Sequence, residues 1–191
     1  MKILVAGASG ALGRPLITRL RGAGHDVWWL AHLPESLVAI EQLGAFSVKG
    51  NALDRESVFA VVERIRPDVV IDQLTSLPAS PFDLPTRLPA DRRLRLEGGG
   101  HLFEAARMYQ VRRYIQQSCG FYLDGGTGLA TEASSLRINA PGTIGESSRM
   151  YAALEKRVSG VPSIEGVGLR YGFFYGPGTW YWSDGAFRRQ L

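Results

Sequence analysis

The sequence predicts an α/β protein, a doubly wound parallel sheet covered by helices in a three-layer α/β/α arrangement. Short apolar runs alternate with amphipathic stretches along the 191 residues. Parallel strands need a crossover between them, and a helix usually provides it, so this alternation is typical of such a sheet. With 45% hydrophobic and 21% charged residues, the chain can bury the core of a single domain. We therefore treat residues 1–191 as one domain.

The order of the predicted elements supports this fold class. Short apolar runs predict strands at residues 2–6, 26–30, 45–48, 68–71, 113–117 and 166–171. Apolar residues at helical spacing predict helices at residues 11–21, 34–43, 55–66, 91–109 and 147–158. Residues 75–90 contain four prolines and residues 123–145 are rich in glycine, so both are predicted loops. The three consecutive glycines at 98–100 are expected to weaken or break their helix.

The connection between the first strand and the first helix carries three glycines spaced G-x-x-G-x-x-G. Glycines let the backbone turn tightly and approach a pyrophosphate closely, and a helix N-terminus offers free N–H groups to the anion. The position between a strand and a helix favours this interpretation over a tight turn without a ligand. We therefore predict a Rossmann-type domain that binds a nicotinamide dinucleotide through Gly7, Ala8, Ser9, Gly10, Ala11, Leu12 and Gly13.

The choice between NAD and NADP is usually made at the end of the second strand. An acidic residue there would bind the ribose 2′-hydroxyl of NAD, but no acid follows that strand before Glu35. Arg14 follows the last loop glycine and His32 lies at the strand tip, where both can face a 2′-phosphate. The sequence thus favours NADP over NAD. The alternative is that both are ordinary surface residues.

Composition excludes several other functions. The net charge of +4 comes from scattered Lys and Arg without a stripe of interleaved aromatic residues, so no nucleic-acid partner is expected. Cys119 is the single cysteine, and no cluster has metal-ligand spacing, so no metal is expected. No apolar run approaches the roughly 20 residues that cross a bilayer. We expect a cytoplasmic protein without membrane contact.

Two further segments point to a family. The sequence GNALD occupies residues 50–54 and LRYGFFYGPG occupies residues 169–178. Together with the glycine spacing, they resemble the extended and atypical short-chain dehydrogenase/reductases, and more narrowly the NAD-dependent epimerase/dehydratase family, over essentially the whole chain. The resemblance implies an NAD(P)-dependent oxidoreductase or epimerase/dehydratase acting on a small, sugar-like or carbonyl substrate. Extended relatives continue past this segment into a smaller substrate domain. The given sequence ends at Leu191, as expected of a fragment or a truncated form of a longer protein, or of a reduced member of the family.

The resemblance also assigns roles to individual positions. Leu53 and Asp54 match positions beside the adenine, and Gln73 and Leu74 match positions where the chain passes the nicotinamide ribose. Ser118 follows the fifth strand, where relatives place a substrate-binding Ser or Thr. Tyr151 matches the catalytic tyrosine. Ser118 and Tyr151 are therefore the candidate catalytic residues.

The usual Y-x-x-x-K motif is altered in this chain. Glu155 stands at the i+4 position of Tyr151, and Lys156 at i+5 lies about 140° around the helix. A carboxylate close to the phenol would raise its pKa, so the usual proton relay is not expected. Tyr151 is then either an atypical catalytic residue or a packed aromatic side chain. The alternative to an enzyme is a non-catalytic NADP(H)-binding sensor.

The resemblance implies a homodimer as well. In relatives, helices that match residues 94–109 and 147–158 pair across a two-fold axis as a four-helix bundle. The apolar residues expected at this contact are Leu102, Phe103, Ala106, Tyr151, Leu154 and Val158.

Overall fold

The computed structural model describes residues 1–32, 41–126 and 128–187. Its six strands form one parallel sheet in the order β3-β2-β1-β4-β5-β6. The strands are β1 (Lys2–Ala6), β2 (Asp26–Ala31), β3 (Phe46–Lys49), β4 (Val69–Asp72), β5 (Arg113–Cys119) and β6 (Glu165–Tyr171). This is the strand order of the dinucleotide-binding doubly wound sheets, which bind their ligand where the order reverses, between β1 and β4.

The helices connect these strands. They are α1 (Gly13–Gly22), α2 (Arg55–Ile65), α3 (Leu84–Arg93), α4 (Gly99–Met108) and α5 (Gly142–Val158), with a 3₁₀ turn at Pro81–Asp83 and a π-helical segment at Leu94–Gly98. The helix predicted at 34–43 lies largely outside the described residues.

Both faces of the sheet are buried, which confirms the predicted three-layer fold. Along β1, Leu4 and Ala6 pack in the core cluster that α2 and α4 cover. Ile3 and Val5 point to the opposite face, where Ile17 of α1 closes a second cluster. Alternate residues of a strand face opposite sides of the sheet, so β1 needs apolar residues at all four positions.

Helix α2 begins where the sequence predicts it. Asp54 is the N-cap, and its carboxylate accepts a hydrogen bond of 3.2 Å from the N–H of Ser57. Such a cap contributes about 0.5–2 kcal/mol to helix stability. The helix ends at Arg66, whose left-handed φ of 48° turns the chain toward β4.

The prediction of a loop over residues 75–90 was wrong in its second half. Helix α3 begins at Leu84 with a proline in its first turn, where the missing N–H has no intrahelical partner to lose. Ser80 caps the preceding 3₁₀ turn, which begins with Pro81. Only Pro89 lies in the interior of α3. The prolines at these two helix starts therefore do not mark a loop.

The three glycines do not break the helical stretch that they were expected to weaken. The π-helical segment runs directly into α4 through Gly98 and Gly99. A Cβ atom on Gly99 would lie 2.7 Å from Oδ2 of Asp72 and 2.8 Å from Nη1 of Arg157. Close packing against these two side chains therefore favours glycine here.

The two edges of the sheet differ. The edge strand β3 has four residues, whereas β6 has seven and, among the described strands, pairs only with β5. Val167 and Leu169 on β6 are exposed. The last strand and α5 are both longer than predicted, and α5 begins at Gly142 instead of residue 147.

The six apolar residues expected at a dimer contact are instead buried inside the chain. Leu102, Phe103, Ala106 and Val158 belong to the core cluster under α2 and α4, and Tyr151 and Leu154 to a third cluster beside β5. Side chains that fill the monomer core leave no surface to offer a partner, so this assignment was wrong. The homodimer itself stays a prediction.

None of the described helices has the length and apolar character needed to span a bilayer.

Candidate active site

The glycine loop joins β1 to α1, and two of its glycines are required by contacts within the protein. Gly7 has a φ of +81°, and a Cβ there would overlap the carbonyl group of Gln73 at the end of β4. A Cβ on Gly13 would overlap the carbonyl group of Ala8. These glycines hold the loop tightly against β4 and against the start of α1.

Gly10 is different, because its Cβ direction is open. The nearest atom that a Cβ would meet is the carbonyl oxygen of Gly7 at 3.5 Å. Beside it, the N–H groups of Ala11 and Leu12 have no hydrogen-bond partner among the described residues, and Leu12 gives α1 no side-chain cap. Open space in front of free N–H groups at a helix N-terminus fits the pyrophosphate of a dinucleotide. Ser9 lies exposed in the same loop.

The residues predicted to select the cofactor and to lie beside the adenine are found in the first turn of α1, directly after β2 and directly before α2. Arg14 is exposed in the first turn of α1, and His32 is exposed directly after β2. Leu53 and Asp54 precede α2, where the Leu53 N–H donates to the side-chain oxygen of Asn51 at 3.0 Å. Asp54 remains exposed while it caps α2. Glu35 lies outside the described residues.

Gln73 and Leu74 follow β4 at the point where the strand order reverses. Both are buried, and the Leu74 N–H donates to Asp72. The Gln73 amide donates to the hydroxyl of Tyr171 at 3.3 Å, but its side-chain oxygen has no partner within the described chain. A buried acceptor without a donor is costly, so it suits a ligand hydroxyl at this position.

Ser118 belongs to a polar cluster with Glu155 and Arg170. The Ser118 hydroxyl donates to Oε1 of Glu155 at 2.6 Å, and Arg170 donates to both carboxylate oxygens at 2.7 Å. Burial raises the pKa of Glu155, but the hydrogen bonds from Arg170 and Ser118 lower it by more. Glu155 is therefore a carboxylate neutralised by Arg170, a partner that the sequence analysis did not identify.

Tyr151 lies in a largely apolar environment. Its ring stacks on Tyr122 with centroids 5.7 Å apart, and the guanidinium carbon of Arg95 lies 5.5 Å from its ring centroid. Burial raises the pKa of Tyr151 far above its usual value, opposed by the positive charge of Arg95. The phenol is therefore neutral near pH 7. Lys156 is exposed, so its predicted position away from Tyr151 is confirmed.

Arg95 itself is held by a buried ion pair. It is 2% exposed, and its Nε donates to Asp91 at 2.7 Å. The other oxygen of Asp91 accepts from the Thr75 hydroxyl at 2.8 Å and the Ser76 N–H at 2.6 Å, in the loop after β4. The i,i+4 spacing of Asp91 and Arg95 was the one sequence signal for this pair.

The structure thus divides the predicted residues into two groups. Gly7 packs closely on the carbonyl group of Gln73, which joins the glycine loop to the residues predicted beside the nicotinamide ribose. Ser118 on β5 donates to Glu155, which follows Tyr151 by four residues on α5. The described residues contain no group of three His, Cys, Asp or Glu side chains placed to hold a metal ion.

The strand order and the open glycine loop define the class of dinucleotide-binding Rossmann-type proteins. Residues 3–186 match the NAD dependent epimerase/dehydratase family, and the chain belongs to that family. This confirms the resemblance found in the sequence.

Individual relatives share the fold over most of this chain. A 3-diazoavenalumate denitrifying reductase from a Streptomyces species is 39% identical over 188 residues, which cover 97% of this chain and 60% of the relative. A UDP-glucose 4-epimerase from Thermus thermophilus, solved in complex with NAD, superposes with a TM-score of 0.74 at 27% identity. That match covers 93% of this chain and 57% of the epimerase. Pal from Bacillus thuringiensis, at 21% identity and a TM-score of 0.77, shares the fold; the match covers 97% of this chain and 60% of Pal.

These comparisons bear on the cofactor. The family is NAD dependent, and the Thermus epimerase binds NAD. A nicotinamide dinucleotide is therefore the cofactor of this family, as the glycine loop predicts. The comparisons give no support to the predicted preference for NADP.

Proposed function

We propose that this chain is a nicotinamide-dinucleotide-dependent reductase that transfers hydride to a small electrophilic substrate. The observation that carries the proposal is the state of Tyr151. Its phenol is buried and neutral, Lys156 is exposed, and Glu155 is bound to Arg170. A site of this kind can hold or donate a proton at the Tyr151 hydroxyl, but it lacks a base that removes one near pH 7.

The direction of the reaction follows from this. An epimerase or dehydratase of this family type begins by oxidising a substrate alcohol, which requires a base at the hydroxyl proton. Reduction requires the opposite, a hydride to the electrophile and, for a carbonyl, a proton to the oxygen. Because burial raises the pKa of Tyr151, the phenol carries its proton near pH 7, as the proton donor of a reduction must. The same shift makes the phenol a weaker acid, so a nearby positive charge would assist the transfer.

Residues of the glycine loop, Gln73 and Ser118 would each contribute to this chemistry. The bound dinucleotide supplies the hydride. Gly10, Ala11 and Leu12 would hold its pyrophosphate, and the unpaired oxygen of Gln73 would accept from a ribose hydroxyl. The Ser118 hydroxyl already donates to Glu155, so Ser118 is suited to accept a hydrogen bond from substrate and not to polarise a carbonyl.

The relative at 39% identity suggests the substrate class. Its name describes a reductase that removes nitrogen from a diazo compound. When hydride replaces the diazo group of an aromatic diazonium ion, the C–N bond breaks, N₂ leaves and no proton transfer is needed. We propose aromatic diazo compounds as the first substrate class and carbonyl compounds, including sugar-like ones, as the second.

The cofactor form is proposed to be NADPH, with NADH as the alternative. Trp29, Leu30 and Ala31 end β2 without an acid, and His32 follows them. The exposed Arg14 supplies a positive charge at the start of α1.

Transfer of deuterium tests the proposal. Dinucleotide reduced with deuterium at C4 is incubated with benzenediazonium ion or benzaldehyde, and the product is analysed by mass spectrometry. We expect deuterium on the ring carbon that bore nitrogen, or on the alcohol carbon. Reactions without protein, and with Gly10→Val, correct for chemical reduction.

Two results would count against a reductase. Binding of the dinucleotide without label transfer to either substrate would favour the sensor. Oxidation of UDP-glucose with NAD⁺, at a rate above both reductions, would favour an epimerase.

A further inference from the structure

We propose that Arg95 is the positioning residue for Tyr151, supplying from the π-helical segment the positive charge that the family's lysine supplies from α5. The inference rests on the proposed function, in which Tyr151 donates a proton. It concerns a residue far from Tyr151 in sequence and on a different element.

The geometry brings the guanidinium to the phenol ring. Arg95 lies in the segment Leu94–Gly98, where the helix is wider than an α-helix. A π-helical turn contains an extra residue and so changes which side chains share a face, and such turns are frequent at functional sites. Here it leaves Arg95 buried, with its guanidinium carbon 5.5 Å from the Tyr151 ring centroid.

The ion pair fixes the guanidinium in this place. Asp91 binds Nε of Arg95 and, through its other oxygen, the Thr75 hydroxyl and the Ser76 N–H. Nη1 of Arg95 is buried and has no partner among the described residues. Burying a charge with an incomplete set of hydrogen bonds costs stability, and an apolar side chain would avoid that cost. The arrangement favours a role in which the charge itself is needed.

The positive charge of Arg95 favours the ionised form of the Tyr151 phenol. The titratable groups that shift the pKa of Tyr151 are Arg95, Cys119, Asp91 and Tyr122, after burial itself. Of these, Arg95 alone favours the phenolate. Burial lowers the pKa of Arg95, but its interactions with Tyr151, Asp91 and Asp72 together leave that pKa above its ordinary value, so the guanidinium stays charged.

The role in a carbonyl reduction is specific. The reduced dinucleotide would supply hydride to the carbonyl carbon, and the C=O π pair would move onto oxygen. The Tyr151 O–H bond would then break as its proton moves to that oxygen. The electron pair left on the phenolate oxygen is stabilised by Arg95 until water returns a proton. The reduction of a diazonium ion uses no proton, so Arg95 does not enter that reaction.

The test measures the phenol directly. A fluorinated tyrosine incorporated at position 151 lowers the phenol pKa into a measurable range, and its phenolate absorbance is followed against pH. Removing both charges with Asp91→Asn/Arg95→Met, compared with Asp91→Asn alone, should raise the pKa of this residue by about 1 unit or more. Arg95→Lys keeps the positive charge that Arg95→Met removes, so this variant should prevent most of the rise in the phenol pKa. Arg93→Met is the matched control. It removes an exposed arginine of α3 that pairs with Glu97, and it should leave the phenol pKa unchanged.

Kinetics give the second readout. In the same double variant, kcat for carbonyl reduction should fall about tenfold, as expected for one pKa unit, with KM unchanged. An unchanged phenol pKa in double variants that still bind dinucleotide by calorimetry would overturn the proposal. A shifted pKa in a protein that reduces no substrate would instead overturn the proposed function and leave the assignment of Arg95 standing.

Discussion

The dinucleotide loop and the surroundings of Tyr151 are built in different ways. The loop takes seven consecutive residues, Gly7 to Gly13, and offers backbone N–H groups and empty space. The region around Tyr151 takes side chains from the π-helical segment, β5, α5 and β6, and offers charges in buried pairs. One half of the site is therefore made by local chain geometry, and the other by contacts between distant residues.

The difference predicts different responses to substitution. In the loop, a new side chain can block the ligand without touching the core. Around Tyr151, each side chain holds another, so a single removal leaves a buried group without its partner. Substitutions in the two regions can therefore be compared directly.

The largest effect is expected at Gly10. Gly10→Val fills the open space in front of the free N–H groups and should weaken dinucleotide binding at least about 100-fold, since overpacking and lost hydrogen bonds each cost about 1–3 kcal/mol. The nearest protein atom to a Cβ on Gly10 is 3.5 Å away, so the fold should survive. Titration calorimetry measures the loss. Gly22→Val, where a Cβ also meets open space at the far end of α1, is the matched control and should bind normally.

A smaller effect is expected at Arg170. Arg170→Met leaves the half-buried Glu155 carboxylate without its cation and should lower the free energy of unfolding by about 1–3 kcal/mol at pH 7. Urea unfolding measures it.

The same pair should respond to pH. The pKa of Glu155 is lowered in the folded state, so its contribution to stability is present above the unfolded value near 4.3 and is lost as the pH falls through the lower, folded value. Glu155→Gln should flatten this acid limb of the unfolding profile. If the acid limb is the same in Glu155→Gln and in the parent, the ion pair does not contribute as described.

The smallest effect is expected from Arg14. NADPH should bind more tightly than NADH, and Arg14→Ala should narrow the gap by about fivefold, as expected for one exposed charge worth about 1 kcal/mol. Arg19→Ala, on the same helix one turn before its end, is the control. Equal affinities for NADPH and NADH in the parent would contradict the proposal and match the NAD bound by the Thermus epimerase.

The sequence predicted the loop half of the site because its requirements are local. Gly7, Gly10 and Gly13 follow a strand and open a helix, so spacing and context sufficed. The start of α2 at residue 55 was predicted for the same reason. Arg170 was not predicted, because its partner Glu155 lies on another element. Arg95 was not predicted, because its contact with Tyr151 joins distant parts of the chain, although its i,i+4 spacing from Asp91 was visible. The departure of Glu155 from the family motif was visible in the sequence, but Arg170, which neutralises it, was not.

The helix boundaries missed by the sequence have a related cause. Prolines were taken as evidence for a loop at residues 75–90, although a helix start tolerates them. The glycines at 98–100 were expected to weaken or break the helix, although Gly99 allows close packing against the side chain of Asp72. The type of residue was informative in each case, but the structural context that gives it meaning was not visible in the local pattern.

The unequal edges of the sheet have a consequence for handling the protein. Strand β3 is short and ends in Lys49, whereas β6 presents seven residues with the exposed Val167 and Leu169. The unpaired backbone groups of a long edge strand can pair with a strand of another molecule. A charged side chain on the edge strand discourages such pairing. Among the described strands, β6 is therefore the expected site of self-association in concentrated samples of this chain. Val167→Lys should reduce self-association of the isolated chain. It should leave the dinucleotide loop, which lies on the other side of β4, unaltered.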